Sequence, residues 1–363
     1  MGVYLDYGAC APVSQNILEN IESMAEMFYN QSSPYYLGNY NKHVIEKVRE
    51  KIASIINSEP EEIIFTSCAS EANSLAVDGF LKKHPEYSVY CSNIEHSSIL
   101  NNSNIAGYIE CDKNGFLKPE DFELKDLTLF AVMLANNEIG SIQPIKEISK
   151  VVHSGTDNYL LCDATAVFGK LPIDVKELGV DMMSISAQKI GGIKGAGALY
   201  IKKGTDLYSI IHGEQEQNLR GGTLNDLAIK CFGLALDDID YDKDVVVRAR
   251  RNYLLDELLD IDGIHLNGVL ENRLSNNINI RIDNLSIDNQ QLLTLLDEHG
   301  YMVSAGSACH SGDKKPSHVL KAIGLSDNQA NSSIRITIGY ENSVRELEEF
   351  VECLKRIVAM YKQ

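Results

Sequence analysis

Residues 63–82 read IIFTSCASEANSLAVDGFLK. A short apolar run, Ile63–Thr66, closes in small and hydroxyl residues, and a helical pattern takes over from Glu71 to Lys82. The run predicts a strand, and the pattern predicts a helix that begins at Ser70 or Glu71. The same punctuation recurs downstream. Ser88–Cys91, Thr128–Leu134, Tyr159–Cys162, Met182–Ser186 and Ala198–Ile201 are further strand-like runs, with amphipathic patterns among them. Strands alternating with helices predict an α/β fold with a mostly parallel sheet covered by helices. Such sheets bind ligands at the carboxyl ends of their strands, so the polar clusters just after each run are where chemistry is expected.

The pattern changes after a charged helical stretch, Asp242–Asp260. Asn276–Ile282 and Ile334–Ile338 alternate like half-buried antiparallel strands, and Glu341–Lys362 reads as a closing amphipathic helix. A second, smaller α+β lobe is expected there, with a boundary near residue 245.

Composition narrows the function. The chain has 363 residues, 44% apolar and 23% charged, enough for two lobes with sizeable cores. A net charge of −18 repels phosphate backbones and anionic lipid, so neither nucleic acid nor membrane is an expected partner. No apolar run approaches the ~18 residues of a membrane span. The start, MGVYLDYGACAP, lacks a basic segment followed by an apolar one, so a cytoplasmic location is expected. The eight cysteines, at 10, 68, 91, 111, 162, 231, 309 and 353, form no zinc-type spacing, and no metal site is expected. Most read as small apolar residues of a reducing compartment.

Six clusters carry possible chemistry. Small and hydroxyl residues lead from the Ile63–Thr66 run into a helix at Ser70 or Glu71, where backbone N–H groups bind phosphate, although Ser70 also suits a plain N-cap. Lys189 lies just past a strand in SISAQKIGGIKGAG, residues 184–197; glycines there let a bulky cofactor approach, and a lysine of lowered pKa can condense with an aldehyde. Asp163 follows the apolar run before it and suits either a pyridine-nitrogen partner or a cap. His96 in SNIEHSS can stack on a flat cofactor or move protons, or be structural. Asn137 in ANNEIGSIQP can bond a phenolic or carboxylate oxygen, or form a turn. Cys309 stands in VSAGSACHSGDKKP, residues 303–316, among polar and cationic residues that suit a thiolate and not a core cysteine.

Together these blocks resemble the cysteine desulfurases of the NifS/IscS type, in the class-V branch of fold-type-I pyridoxal phosphate enzymes. The resemblance runs from YLDYGACAP at 4–12 to IRITIG at 334–339. It implies a large lobe, 13–245, with a mostly parallel seven-stranded sheet sandwiched by helices. It implies a smaller α+β lobe, 1–12 with 246–363, that carries the cysteine segment. It implies pyridoxal 5'-phosphate on Lys189, with Asp163 on the pyridine nitrogen and His96 against the ring. Ala69, Ser70, Ser186 and Gln188 match phosphate positions. Thr223, in the Arg220–Thr223 block, matches the threonine that reaches the phosphate of the other subunit of a homodimer. Arg335 matches the arginine for the substrate carboxylate, where Asn137 also lies. Cys309, in the intact Gly306–Cys309 block, matches the nucleophile that takes sulfur from L-cysteine and passes it to an acceptor protein, as in iron–sulfur cluster assembly. The products implied are L-alanine and a Cys309 persulfide.

Four departures from the family pattern stand out. Gln188 replaces a histidine, Ala166 a glutamine, Cys68 a glycine, and Cys10–Ala11 a threonine pair. Two other readings therefore compete: a selenocysteine or cystine lyase or another class-V enzyme, and a catalytically weakened cofactor-binding scaffold.

Overall fold

The structure, a computed structural model, describes residues 2–122, 127–155, 157–306 and 316–362. Its strands are β1 (Val3–Tyr4), β2 (Ile63–Thr66), β3 (Ser88–Ser92), β4 (Ile105–Ile109), β5 (Thr128–Met133), β6 (Tyr159–Asp163), β7 (Met182–Ser186), β8 (Gly197–Ile201), β9 (Ile264–Leu266), β10 (Asn277–Ile282), β11 (Tyr301–Met302) and β12 (Ser333–Thr337). Seven of them form one sheet in the order β2-β8-β7-β6-β5-β3-β4, in which β8 alone runs against its neighbours.

Period-two alternation explains why both faces of this sheet are covered. Phe130 and Val132 of β5 enter one core with Phe65, Met183 and Phe232, while Leu129 and Ala131 enter another with Ile64, Val77 and Phe80. Removing a buried Phe or Leu from either face would cost about 2–5 kcal/mol. The six strands read from sequence are present, each within one residue of its expected ends. β4 was not anticipated. Its central Gly107 breaks a strand pattern, and the space it leaves is taken by the Tyr90 ring, which a Cβ at 107 would meet at 2.6 Å.

The helix expected over Glu71–Lys82 begins earlier, at Ala69. It is also not uniform: Ala69–Ser74 passes through a π turn, Leu75–Gly79, into Phe80–Lys83. Gly79 sits in that turn because the Tyr208 backbone packs on it, with Tyr208 N–H donating to its carbonyl at 2.9 Å.

A second core gathers Leu5, Ile278, Ile280, Ile334, Ile336, Leu347 and Phe350. β12, β10 and β9 form its antiparallel sheet, and β1 pairs with β11. β10 and β12 are not half-buried as their alternation suggested. Their polar residues Asn277, Asn279 and Arg335 are buried too, because that face packs on the 137–138 turn after β5. The closing helix is Val344–Tyr361, started by a capping box between Ser343 and Glu346.

One loop on the large sheet is strained. Glu216, Gln217 and Asn218 have φ of 46°, 59° and 65°, in the left-handed region. Arg49 holds them there. Its guanidinium grips Glu216 at 2.8 and 2.9 Å, stacks on Phe65, and the Phe65 N–H donates to the same carboxylate at 2.6 Å.

Candidate active site

A cavity of about 380 Å³ opens where the chain leaves the carboxyl ends of β2, β3, β5, β6 and β7. Its walls contain Ala69, Ser70, His96, Asn137, Asp163, Ser186, Gln188, Lys189 and Arg335. Nine residues singled out from sequence thus come together. Thr223 does not join them. It is exposed, in the loop after Gly222. Its neighbour Arg220 instead pairs with Glu71, in the first turn of the Ala69–Ser74 helix, at 2.8 Å. Cys309 lies outside the described residues.

Lys189 ends a short turn, Ala187–Lys189, directly after β7. Its Nζ donates to the carbonyls of Gly8 and Ala9 at 2.6 and 2.8 Å. Burial and then the Arg335 charge lower its pKa, against the pull of Cys10, Asp6 and Asp163. A larger fraction of neutral amine follows.

Asp163, the last residue of β6, is buried. Its Oδ1 accepts from Thr165 N–H and its Oδ2 from Asn73 Nδ2, both at 2.9 Å. Asn73 Nδ2 also donates to Ser98 Oγ at 2.9 Å, and Ser98 reaches His96 Nδ1 at 2.9 Å. The Ser98 backbone N–H donates to His96 Nδ1 at 3.1 Å. A backbone N–H can only donate, so Nδ1 is an acceptor and the neutral ring carries its proton on Nε2. Aspartate and histidine are therefore oriented by one chain of hydrogen bonds. Asn73 and Ser98 were not singled out from sequence. The signal for Asn73 was its place one helical turn after Ala69 and Ser70, on the same face.

The two asparagines of ANNEIG divide the work that sequence left open. Asn136 is wholly buried and makes the turn, its Oδ1 accepting from the N–H groups of Glu138 and Ile139. Asn137 lines the cavity, and its carbonyl accepts from Arg335 Nη1 at 3.0 Å. Arg335, 1% exposed, also pairs through Nη2 with Asp6 at 2.8 Å, while its Nε has no partner among the described residues. A buried guanidinium with an unmatched donor suits a carboxylate ligand.

Anion-binding capacity gathers in the same lining. The side chains of Ser70, Ser186 and Gln188 line the cavity without a hydrogen bond among the described residues. Beside them the helix from Ala69 presents first-turn N–H groups. A phosphate fits that donor set, and an aromatic aldehyde fits between it, Asp163 and the Lys189 amine. Cys10 and Cys68, two of the departures, also line the cavity, and Ala166 offers it only a methyl group.

Residues 3–350 match the model of the aminotransferase class-V family, and the chain belongs to that family. Several curated relatives in it carry the name cysteine desulfurase IscS. The chain is 38% identical over 374 residues to the cysteine desulfurase IscS of Dictyoglomus turgidum, covering 98% of this chain and 94% of that one. A NifS-like protein from Rickettsia africae aligns with a TM-score of 0.90 and 31% identity, over 99% of this chain and 100% of that one. SspA in complex with cysteine aligns with a TM-score of 0.82 and 31% identity, over 92% of this chain and 98% of that one.

Proposed function

We propose that the chain is a pyridoxal-phosphate-dependent cysteine desulfurase that converts L-cysteine to L-alanine and leaves the sulfur as a persulfide on Cys309. One observation carries the reading. The Lys189 amine, the Asp163 carboxylate and the Arg335 guanidinium line a single cavity together with Ser70, Ser186 and Gln188, whose uncommitted hydroxyl and amide donors suit an anion. A cysteine-bound relative of the same fold supports L-cysteine as substrate.

When bound, pyridoxal phosphate supplies an aldehyde for the amine and a ring that accepts electrons from the α-carbon. Asp163 would hold the proton of the ring nitrogen, and His96 would pack on the ring. Ala69, Ser70, Ser186 and Gln188 would hold the phosphate, and Asn137 the phenolic oxygen. Arg335 binds the substrate carboxylate through its fork. Lys189 takes the α-proton on Nζ, which its lowered pKa makes available as a base. His96 handles the thiol's proton, with its Nε2–H as the donor in that exchange. The Cys309 thiolate attacks the substrate sulfur; an S–S bond forms as the Cβ–S bond breaks, the Cβ–S electron pair stays on carbon and takes a proton at Cβ, Lys189 returns the proton to Cα, and L-alanine leaves. The persulfide sulfur then passes to an acceptor protein.

Thr223, exposed on its own chain, serves the cavity of a second copy in a homodimer. The lobes divide as 13–245 and 1–12 with 246–363, and the protein works in the cytoplasm; no helix among the described residues is long and apolar enough to cross a membrane. The lyase and scaffold readings are not favoured, because the relatives over the whole chain are desulfurases.

The test is alanine and sulfide release from L-cysteine with dithiothreitol, comparing wild type with Cys309→Ala. Wild type should release both and the variant neither, with both proteins yellow. Equal release by the two would remove Cys309 as sulfur carrier and favour a lyase. No turnover by yellow wild type would favour a scaffold.

A further inference from the structure

Glu138 is 2% exposed, and none of the steps above uses it. Two pieces of chain converge on its carboxylate. From one side the Ser317 hydroxyl donates to Oε2 at 2.5 Å. Ser317 is also the N-cap of the helix His318–Ala322, accepting from Leu320 N–H at 3.3 Å. From the other side Gly306 packs on the same carboxylate. A Cβ there would lie 3.2 Å from Oε2, and a φ of 82° makes glycine the fitting residue. The chain therefore departs at 306 and returns at 317 against one buried carboxylate, and Cys309 lies in the interval.

Glu138 is itself fixed. Its N–H donates to Asn136 Oδ1 at 2.8 Å, and its carbonyl accepts from Asn277 and Asn279 of β10 at 3.1 and 3.2 Å. The preceding residue, Asn137, holds Arg335 through its carbonyl. Arg335 in turn exchanges backbone hydrogen bonds with Ser304, at 2.6 and 3.1 Å, two residues before Gly306. His318 Nε2 donates to the Glu95 carbonyl at 3.0 Å, beside His96.

We propose that Glu138 is a positioning residue that anchors both ends of the Cys309-bearing segment and registers them to the arginine that takes the substrate carboxylate. This rests on the desulfurase reading. The acceptor of sulfur and the holder of the substrate are thus referred to one four-residue turn, 136–139. A single charge-assisted hydrogen bond, Ser317 to Glu138, closes the far end.

Ser317→Ala removes that bond, and Ser317→Thr keeps a hydroxyl and a good N-cap. Two readouts on cofactor-loaded protein separate positioning from general damage. Cys309 persulfide formation in a single turnover needs the thiol. Deuterium exchange at the α-carbon of L-alanine in heavy water needs Lys189 and Arg335 but no thiol. Persulfide formation should fall roughly tenfold in Ser317→Ala, exchange should stay within about twofold, and Ser317→Thr should recover the first. Equal loss of both, or loss of neither, overturns the proposal. A third readout stands apart from the desulfurase reading: tryptic cleavage after Lys314 in cofactor-free protein. It should rise at least about threefold in Ser317→Ala and return in Ser317→Thr. Wild type that forms no persulfide overturns the desulfurase reading. In that case unchanged cleavage overturns the anchor, and increased cleavage upholds it.

Discussion

Replacing Glu95 by glutamine should change how stability depends on pH. Glu95 is wholly buried. Its Oε1 accepts from the Ser92 hydroxyl and from Met133 N–H, and its Oε2 has no partner among the described residues. Burial, helped by the nearby Asp163 and opposed by those two hydrogen bonds, pushes the carboxyl from 4.5 up to about 8. Between those values the native state holds a proton that the unfolded chain has lost, so stability falls as pH rises. The slope is at most about 1.4 kcal/mol per pH unit, which integrates to about 3 kcal/mol between about pH 5 and about pH 7.5. Glutamine keeps the acceptor and has no proton to lose. Its NH₂ replaces Oε2 at a cost of about 1–3 kcal/mol, the same at both pH values. The stability of wild type relative to Glu95→Gln should therefore drop by about 3 kcal/mol across that interval. Guanidinium denaturation of both proteins at each pH, with equal cofactor load, measures it. A gap that moves by less than about 1 kcal/mol would mean that Glu95 is ionised in the native state, and the reasoning from its burial would fail.

Ala166→Gln should restore a donor beside the cofactor's phenolic oxygen. The pH at which the bound cofactor changes colour should fall by about one unit, read by absorbance titration, because a donor stabilises the anionic oxygen. No shift would mean that Asn137 already saturates that oxygen. Glu216→Leu should leave the buried Arg49 guanidinium with only the more exposed Glu46 as its carboxylate and lower stability by about 2–3 kcal/mol, seen in denaturant melts. A loss below about 1 kcal/mol would show that the strained turn at 216–218 does not depend on this pair.

The large sheet was legible because its strands are buried on both faces. Runs such as Met182–Ser186 then stand out from the polar loops around them. β4 was hidden because the feature that makes it fit, Gly107 under the Tyr90 ring, is the one that local pattern reads as a break. β10 and β12 were seen as strands but given the wrong environment. A buried Asn279 or Arg335 has the same letter as an exposed one, and only the turn packed on it makes burial tolerable. The candidate site followed the same division. Residues placed just after strands were legible, since topology alone brings strand ends together. Asn73, Ser98 and Glu138 were not, because their parts come from hydrogen bonds between segments far apart in sequence.

The departures from the family pattern weigh less once they are located. Gln188 lines the cavity, and its amide is not spent on a neighbouring side chain, so the change from histidine leaves a donor for the proposed phosphate. The Ala166 side chain supplies none, and its carbonyl is engaged by Lys170 Nζ at 2.8 Å. Asn137 also lines the cavity with its amide uncommitted, while its carbonyl holds Arg335. On the proposed reading the phosphate keeps its donors, the ring nitrogen keeps Asp163, and the substrate carboxylate keeps Arg335. Only the phenolic oxygen loses a donor. A site decaying toward a scaffold would be expected to lose its most demanding groups first, namely the buried lysine, the oriented aspartate and the buried arginine. This chain holds all three in one cavity, and among its changes there the one at Ala166 costs about one hydrogen bond.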